Sequence, residues 1–190
     1  NITFIGNHAT GNGGGMYSFN HSPVLTNITF NSNSTGGSGG GLVTDGGTPS
    51  LTNIIFINNT ALSSGGGGMY ITVNSSPTLT NVAFITNSAG YGGGISSGNS
   101  NASLTNVTFS GNSATSFGGG IYNLTGNHSL TNVTFSGNSA TTGGGVYNVS
   151  SSTPTLKNVI IANSTGGDCV NSSSSLNAAS SNNLIENTGS

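Results

Sequence analysis

The chain has 190 residues, and only 2 % of them are charged: one is basic and three are acidic, which gives a net charge of −2. Because nucleic acids and anionic membranes are bound through clusters of Lys and Arg, this composition excludes both as partners. No apolar run approaches the roughly 18 residues of a membrane-spanning helix, so membrane insertion is not expected either. The apolar fraction of 32 % allows a narrow core.

The first predicted element, Asn1-Ile2-Thr3-Phe4, is a short strand that returns along the whole chain. From the second to the sixth copy it is preceded by Leu-Thr, and in the seventh by Leu-Lys; its asparagine recurs in steps of 26, 26, 28, 25, 26 and 26 residues. A triple glycine followed by an apolar residue recurs with the same period. A fixed period of this length is typical of stacked repeat architectures. The first copy lies at the start of the chain without a signal-peptide pattern, which favours a processed protein or part of a longer one.

The segment from Gly118 to Ala140 illustrates how one repeat predicts one coil of a solenoid. Gly118-Gly119-Gly120-Ile121-Tyr122 predicts a strand with isoleucine inward and tyrosine outward, and the polar residues 123–128 predict a loop. Two further strands are predicted at 129–131 and 133–135. Leu130 and Val133 are three residues apart, so a bend is expected at Asn132, a residue type suited to the left-handed conformation. Residues 136–140 are interpreted as a turn.

Equivalent residues should form ladders about 4.8 Å apart from coil to coil. The asparagines of the bend are Asn27, Asn53, Asn81, Asn106, Asn132 and Asn158, and the inward phenylalanines are Phe4, Phe30, Phe56, Phe84, Phe109 and Phe135. A second asparagine column comprises Asn7, Asn33, Asn59, Asn87, Asn112 and Asn138. Stacked amides can hydrogen-bond along a ladder and satisfy the bends, so both columns are given structural roles.

These patterns predict an all-β fold, a right-handed single-stranded parallel β-helix of about seven coils with three short strands each. We expect one domain over residues 1–190, with regular coils over 1–164 and an irregular closing coil over 165–190. The glycines are expected where coils approach closely or where φ is positive.

The paired Gly-Gly-Gly-apolar and Phe-x-x-Asn motifs resemble the repeats of polymorphic outer membrane proteins and of bacterial secreted β-helix repeat proteins. The resemblance covers Asn1 to about Ser164. It implies an extracellular or cell-surface location and an adhesive or structural role. Proteins of this kind often carry a second cysteine near the end, where this chain has Ser190, which leaves Cys169 without a partner within the chain.

No catalytic or metal site is predicted, and no cofactor. Polysaccharide hydrolysis needs two nearby carboxylates, whereas Asp45 is separated from Asp168 by nearly five coils, on the order of 20 Å. Asp168 and Glu186 are interpreted as solvated end residues, and Lys157 is an isolated base. His8, His21 and His128 have no metal-binding pattern and are interpreted as ordinary loop residues.

Three features of the sequence each have more than one interpretation. Cys169 is a buried small residue, a free thiol or one half of an intermolecular disulfide. Glycosylation is open at the loop sequons of Asn20, Asn74, Asn101, Asn127 and Asn171. An outward column of Tyr17, Tyr70, Tyr122 and Tyr147, interrupted by Val43 and Ser96, is either surface decoration or a contact for sugars or protein. Rows of outward-facing threonines suggest ice binding as an alternative function. The two rows flank the bend and face different directions, which weakens this alternative.

The leading hypothesis for function is a non-enzymatic, secreted structural protein. The strand at Asn1 has no predicted cap before it, and unpaired strand edges invite addition of another chain. Head-to-tail contact of this kind propagates as a filament, so the expected partner is the chain itself. The alternatives are an adhesin stalk that presents a binding element elsewhere, and a carbohydrate-binding β-helix that uses the tyrosine column.

Overall fold

The computed structural model describes residues 1–72 and 74–187. In chain order the strands are β1 (Ile2–Ile5), β2 (His8–Ala9), β3 (Met16–Phe19), β4 (Val24–Asn31), β5 (Ser34–Thr35), β6 (Leu42–Asp45), β7 (Ser50–Ile57), β8 (Thr60–Gly65), β9 (Met69–Thr72), β10 (Thr78–Ile85), β11 (Ser88–Tyr91), β12 (Ile95–Gly98), β13 (Ser103–Ser110), β14 (Ser113–Phe117), β15 (Ile121–Leu124), β16 (Ser129–Ser136), β17 (Val146–Val149), β18 (Thr155–Lys157), β19 (Ile160–Ala162), β20 (Cys169–Ser172) and β21 (Leu184–Ile185).

These strands stack into three parallel sheets that run the length of the molecule. The long-strand sheet has the order β1-β4-β7-β10-β13-β16-β19-β21, with β18 also paired to β16. The short-strand sheet contains β2, β5, β8, β11 and β14, and the glycine-corner sheet contains β3, β6, β9, β12, β15, β17 and β20. The chain is therefore an all-β parallel solenoid of about seven turns of about 26 residues, as the sequence predicted.

The placement of the strands within each coil differs from the prediction in one respect. The segments on either side of Asn132 belong to one strand, β16, because neighbouring coils bend at the same asparagine and their register is kept from Leu104↔Leu130 to Phe109↔Phe135. The third strand of the coil lies instead after the second asparagine column, where a turn was predicted. At Ser139 this strand is reduced to isolated bridges with Ser113 and Thr165.

The core contains a stack of phenylalanine side chains along the solenoid axis, packed among Leu, Ile, Val and Met side chains. Phe30, Phe56, Phe84, Phe109 and Phe135 are completely buried. Their rings, with that of Phe4, are stacked at centroid distances of 4.6 to 4.9 Å and interplanar angles of 8° or less. Each buried ring contributes roughly 1.5–3 kcal/mol through removal from water. Ile161 continues the column beyond Phe135 in the last coils.

The triple glycines form the corner that leads into the glycine-corner sheet. The first glycine of each triplet has a positive φ, as at Gly92 with φ 60°, a conformation that other residues seldom adopt. The third glycine lies against the next coil: a Cβ on Gly94 would stand 2.7 Å from the carbonyl oxygen of Gly120 and 2.7 Å from the Phe109 ring. Both predicted reasons for glycine therefore operate, at different positions of the triplet.

Candidate functional site

The asparagines of the bend form a ladder on the solvent-exposed surface. Their φ angles lie between 54° and 56°, the left-handed conformation expected from the sequence. In each coil the side-chain Nδ2 donates to Oδ1 of the equivalent asparagine in the preceding coil, over 3.0 to 3.2 Å. This exposed ladder comprises Asn27, Asn53, Asn81, Asn106, Asn132 and Asn158.

The second asparagine column forms a different, buried ladder: Asn7, Asn33, Asn59, Asn87, Asn112 and Asn138. All members except Asn7 are completely buried. At Asn87, Nδ2 donates to the carbonyl of Phe56 and to Oδ1 of Asn112, each over 3.0 Å. Oδ1 of Asn87 accepts from both the backbone N–H and Nδ2 of Asn59. The amide thus satisfies two buried backbone groups of the preceding coil and is linked to the following coil through the side chain of Asn112.

Asp168 ends the buried ladder and is not the solvated end residue that the sequence predicted. It is only 1 % exposed. Its Oδ1 accepts from the backbone N–H of Ser164, the position after Asn138 in the column, and its Oδ2 accepts from the N–H of Asn187. The carboxylate replaces the next asparagine of the ladder as acceptor, which explains why an acid is buried there. Glu186, by contrast, is exposed, and its carboxylate accepts from the N–H of Asn163.

The predicted tyrosine column is part of a wider aromatic surface that extends from the glycine-corner sheet to the ends of β11 and β14 in the short-strand sheet. Tyr122 and Tyr147 stack at 6.0 Å. Two residues that the sequence analysis missed join them: Phe117 lies 4.7 Å from Tyr147, and Tyr91 lies 5.4 Å from Tyr122. Both directly precede a triple glycine, and that shared position was the signal that could have identified them. Burial, followed by the neighbouring Tyr147 and Tyr91, raises the pKa of Tyr122.

Tyr17 and Tyr70 lie on the same face but outside this ring cluster. The hydroxyl of Tyr17 donates to Oδ2 of Asp45 over 2.7 Å. This hydrogen bond to a carboxylate is the main reason why the pKa of Tyr17 is raised. Tyr70 is half-buried, and among the described residues its ring has no stacking partner. The four predicted tyrosines therefore do not form one uniform surface.

His128 is a buried residue, contrary to its interpretation as an ordinary loop histidine. It is 2 % exposed, and its Nδ1 accepts from the backbone N–H of Ala102 over 2.8 Å. Nε2 has no partner among the described residues. Burial lowers the pKa of the imidazole to about 4, so the ring is neutral at physiological pH. His8 and His21 are exposed; His21 lies in a loop as predicted, whereas His8 is part of β2.

Cys169 lies inside the solenoid as part of β20 and is 2 % exposed. Burial, and then the charge of Asp168, raises the pKa of its thiol to about 12, which leaves the thiol protonated and unreactive. The intermolecular disulfide stays a prediction that this burial disfavours. Ser190, the position at which the resemblance implied a second cysteine, lies outside the described residues.

The five predicted glycosylation positions are all on the exposed surface: Asn20, Asn74, Asn101, Asn127 and Asn171. Some of their amides already support neighbouring coils. Oδ1 of Asn127, for example, accepts from the backbone N–H of Thr153 over 2.7 Å, and Oδ1 of Asn171 accepts from Asn148. Nδ2, the atom that a glycan would modify, is not required for these two contacts.

Chemistry-bearing groups do not cluster within residues 1–72 and 74–187. That part of the chain contains no group of three or more His, Cys, Asp or Glu side chains able to hold a metal ion. It also contains no helix long and apolar enough to cross a membrane. The organised features of the surface are thus the exposed ladder and the aromatic face.

Comparison with known proteins identifies the repeat. Residues 1–18, 106–124 and 132–149 match the family model of the Chlamydia polymorphic membrane protein (Chlamydia_PMP) repeat. These three segments are similar to the repeat of that family. The matched segments contain the strand with its bend asparagine, the buried asparagine and the triple glycine, which are the same elements that build the ladders. No curated protein and no solved structure is significantly similar to the chain. Proteins of this repeat family are surface proteins of the autotransporter type and are typically non-catalytic.

Proposed function

We propose that the chain is a non-enzymatic rod segment in the passenger region of a bacterial surface protein. The single observation that carries this proposal is the coincidence of the family repeat with the structural ladders: the matched motifs supply core, bends and corners, and contain no acid–base pair. At about 4.8 Å per coil, seven coils form a rod about 34 Å long. A stalk of this kind holds whatever it carries away from the cell surface.

The stalk requires a fold that extends without a globular core, and the ladders provide it. Each coil contacts its neighbours through the stacked phenylalanines and the buried asparagine amides, as in other repeat proteins in which stability comes from nearest-neighbour interfaces. Coils can therefore be added without redesign of the interior. An enzyme would instead need polar groups that depart from the repeat and converge on one site.

Antibody labelling of intact cells of the source organism tests the surface location. Antibodies raised against the purified chain should label cells that have not been permeabilised, and brief protease treatment of those cells should remove the signal. A cytoplasmic protein detected with the same protocol serves as the control for cell integrity. Labelling only after permeabilisation would contradict the proposal.

The head-to-tail filament is a second candidate and stays a prediction. Electron microscopy of the purified chain separates it from the stalk. Long uniform fibres would favour the filament, and monodisperse short rods at the same concentration would reject it.

A further inference from the structure

The aromatic face of the solenoid contains a gap where one tyrosine of the column is replaced by serine. Ser96 lies between Tyr70 and Tyr122 on adjacent strands of the glycine-corner sheet. Because Ser96 has no ring, a cleft of about 310 Å³ opens there. Its lining residues are Ser38, Ser64, Gly65, Tyr70, Tyr91, Ser96 and Tyr122.

Gly65 keeps the floor of this cleft open. It is in register with Tyr91 of the next coil, so the position that carries an aromatic ring in β11 and β14 carries no side chain in β8. A Cβ on Gly65 would collide with the side chain of Ser96. Ser96 lies between Tyr70 and Tyr122, and Gly65 lies beside Tyr91, so these two small residues in adjacent columns leave a concavity between aromatic rings.

The spacing between Tyr70 and Tyr122 leaves room for one ligand ring. Tyr70 and Tyr122 are two coils apart, which corresponds to roughly 9.6 Å along the axis. A ring placed between them at ordinary contact distances of 3.5–4.0 Å on each side needs about 7–8 Å. The ring of Tyr122 stacks on that of Tyr147, with an interplanar angle of 6°. The ring of Tyr91 also lies against Tyr122, at a centroid distance of 5.4 Å.

The chemistry of the lining selects an uncharged, hydroxyl-rich ligand. No lining residue carries a charge, so neither an acidic nor a basic group would gain an ion pair. The hydroxyls of Tyr70, Tyr91 and Tyr122 make no hydrogen bond to another described residue, and remain available to a ligand. Aromatic walls with a few polar groups are what sugar rings require, since the rings pack on the apolar pyranose face while hydroxyls are hydrogen-bonded.

We propose that this cleft, which we call the Ser96 cleft, binds a neutral sugar residue of a glycan. Its volume lies at the lower end of the range of small-molecule sites, whereas a folded protein partner would need a surface of about 800 Å². The site is independent of the role of the rod in a surface protein. It also differs from a uniform tyrosine column, because Tyr91 and the missing ring at Ser96 define it and Tyr17 and Tyr147 do not line it.

The test is binding of the purified chain to immobilised neutral oligosaccharides, with acidic glycans and unglycosylated peptides on the same array. The wild-type chain should bind one or more neutral glycans with a Kd of about 1 mM or tighter. Tyr122→Ala should weaken this binding about tenfold through loss of one ring contact. Tyr17→Ser, in the same column but outside the cleft, is the matched control and should bind like the wild type.

A second variant fills the cleft instead of removing a wall. Ser96→Tyr restores the side chain found at this position in the coils before and after, so the fold is expected to be kept, and binding should be lost. Absence of any neutral glycan binding, binding of only acidic glycans or peptides, or unchanged binding by a folded Ser96→Tyr chain would each overturn the proposal.

Discussion

The two asparagine ladders have the same residue and the same period, yet they have different physical roles. In the exposed ladder, asparagine is needed for its backbone: φ is close to 55° at every coil, and the side-chain hydrogen bonds compete with water. In the buried ladder the backbone is not in the left-handed region, and the side chain is needed because it satisfies groups that water cannot reach. Repetition in a sequence therefore identifies a ladder without saying which property of the residue is used.

The largest expected effect is at the buried ladder. Asn87→Ala would leave the N–H and Nδ2 of Asn59 and the carbonyl of Phe56 without the partners they have in the structure. Because each unsatisfied buried group costs about 1–3 kcal/mol, we expect the free energy of unfolding to fall by about 3 to 5 kcal/mol. Urea unfolding followed by circular dichroism measures this. A loss below 1 kcal/mol would show that the buried amides are not essential.

His128 is another buried polar side chain, and unlike asparagine it can be protonated. Its pKa falls from 6.5 to about 4 on folding, so the unfolded chain binds the proton first as the pH decreases. The stability from this group is complete above pH 6.5 and is lost as the pH falls toward 4. With 1.36 kcal/mol per pKa unit the loss reaches about 3 kcal/mol.

The matched control for His128 is His128→Asn, because an asparagine Oδ1 can replace Nδ1 as the acceptor for the N–H of Ala102 without titrating. Unfolding free energies of the two chains measured between pH 7 and pH 4 should diverge as the pH decreases. Parallel pH profiles would contradict the burial of a neutral imidazole.

A smaller effect is expected at the exposed ladder. Asn81→Ala keeps the coil but places alanine in the left-handed conformation, which costs about 1 kcal/mol. The lost amide contacts to Asn53 and Asn106 contribute little because they are exposed. Urea unfolding under the conditions used for Asn87→Ala gives the comparison. A loss as large as that of Asn87→Ala would remove the distinction between the ladders.

Cys169 is expected to have no effect on assembly, since its thiol is buried and protonated. At about pH 8 the native chain should not react with a thiol reagent, and it should react completely in denaturant. A covalent dimer on a non-reducing gel would instead support the intermolecular disulfide that the sequence left open.

The sequence predicted the period, the parallel stacking and the phenylalanine column, because each depends on residues that recur in every coil. The prediction misplaced the third strand because it treated the bend at Asn132 as the end of a strand. The adjacent coils bend at the same position, so strand pairing continues through the bend. The sequence of one coil alone does not reveal this. The sequence also did not show the burial of His128 and Asp168. Each occurs once, in a column of the stack where the other coils carry different residues, so no periodic signal marks it. The Ser96 cleft was hidden for the same reason: it arises from the absence of a ring.

The most direct test of the account is a pair of glycine substitutions, one in each ladder. Glycine adopts positive φ freely and has no side chain, so it preserves what the exposed ladder needs and removes what the buried ladder needs. We expect Asn81→Gly to change the free energy of unfolding by about 0.5 kcal/mol or less, and Asn87→Gly to lower it by about 3 to 5 kcal/mol. Equal effects of the two substitutions on urea unfolding would contradict the account.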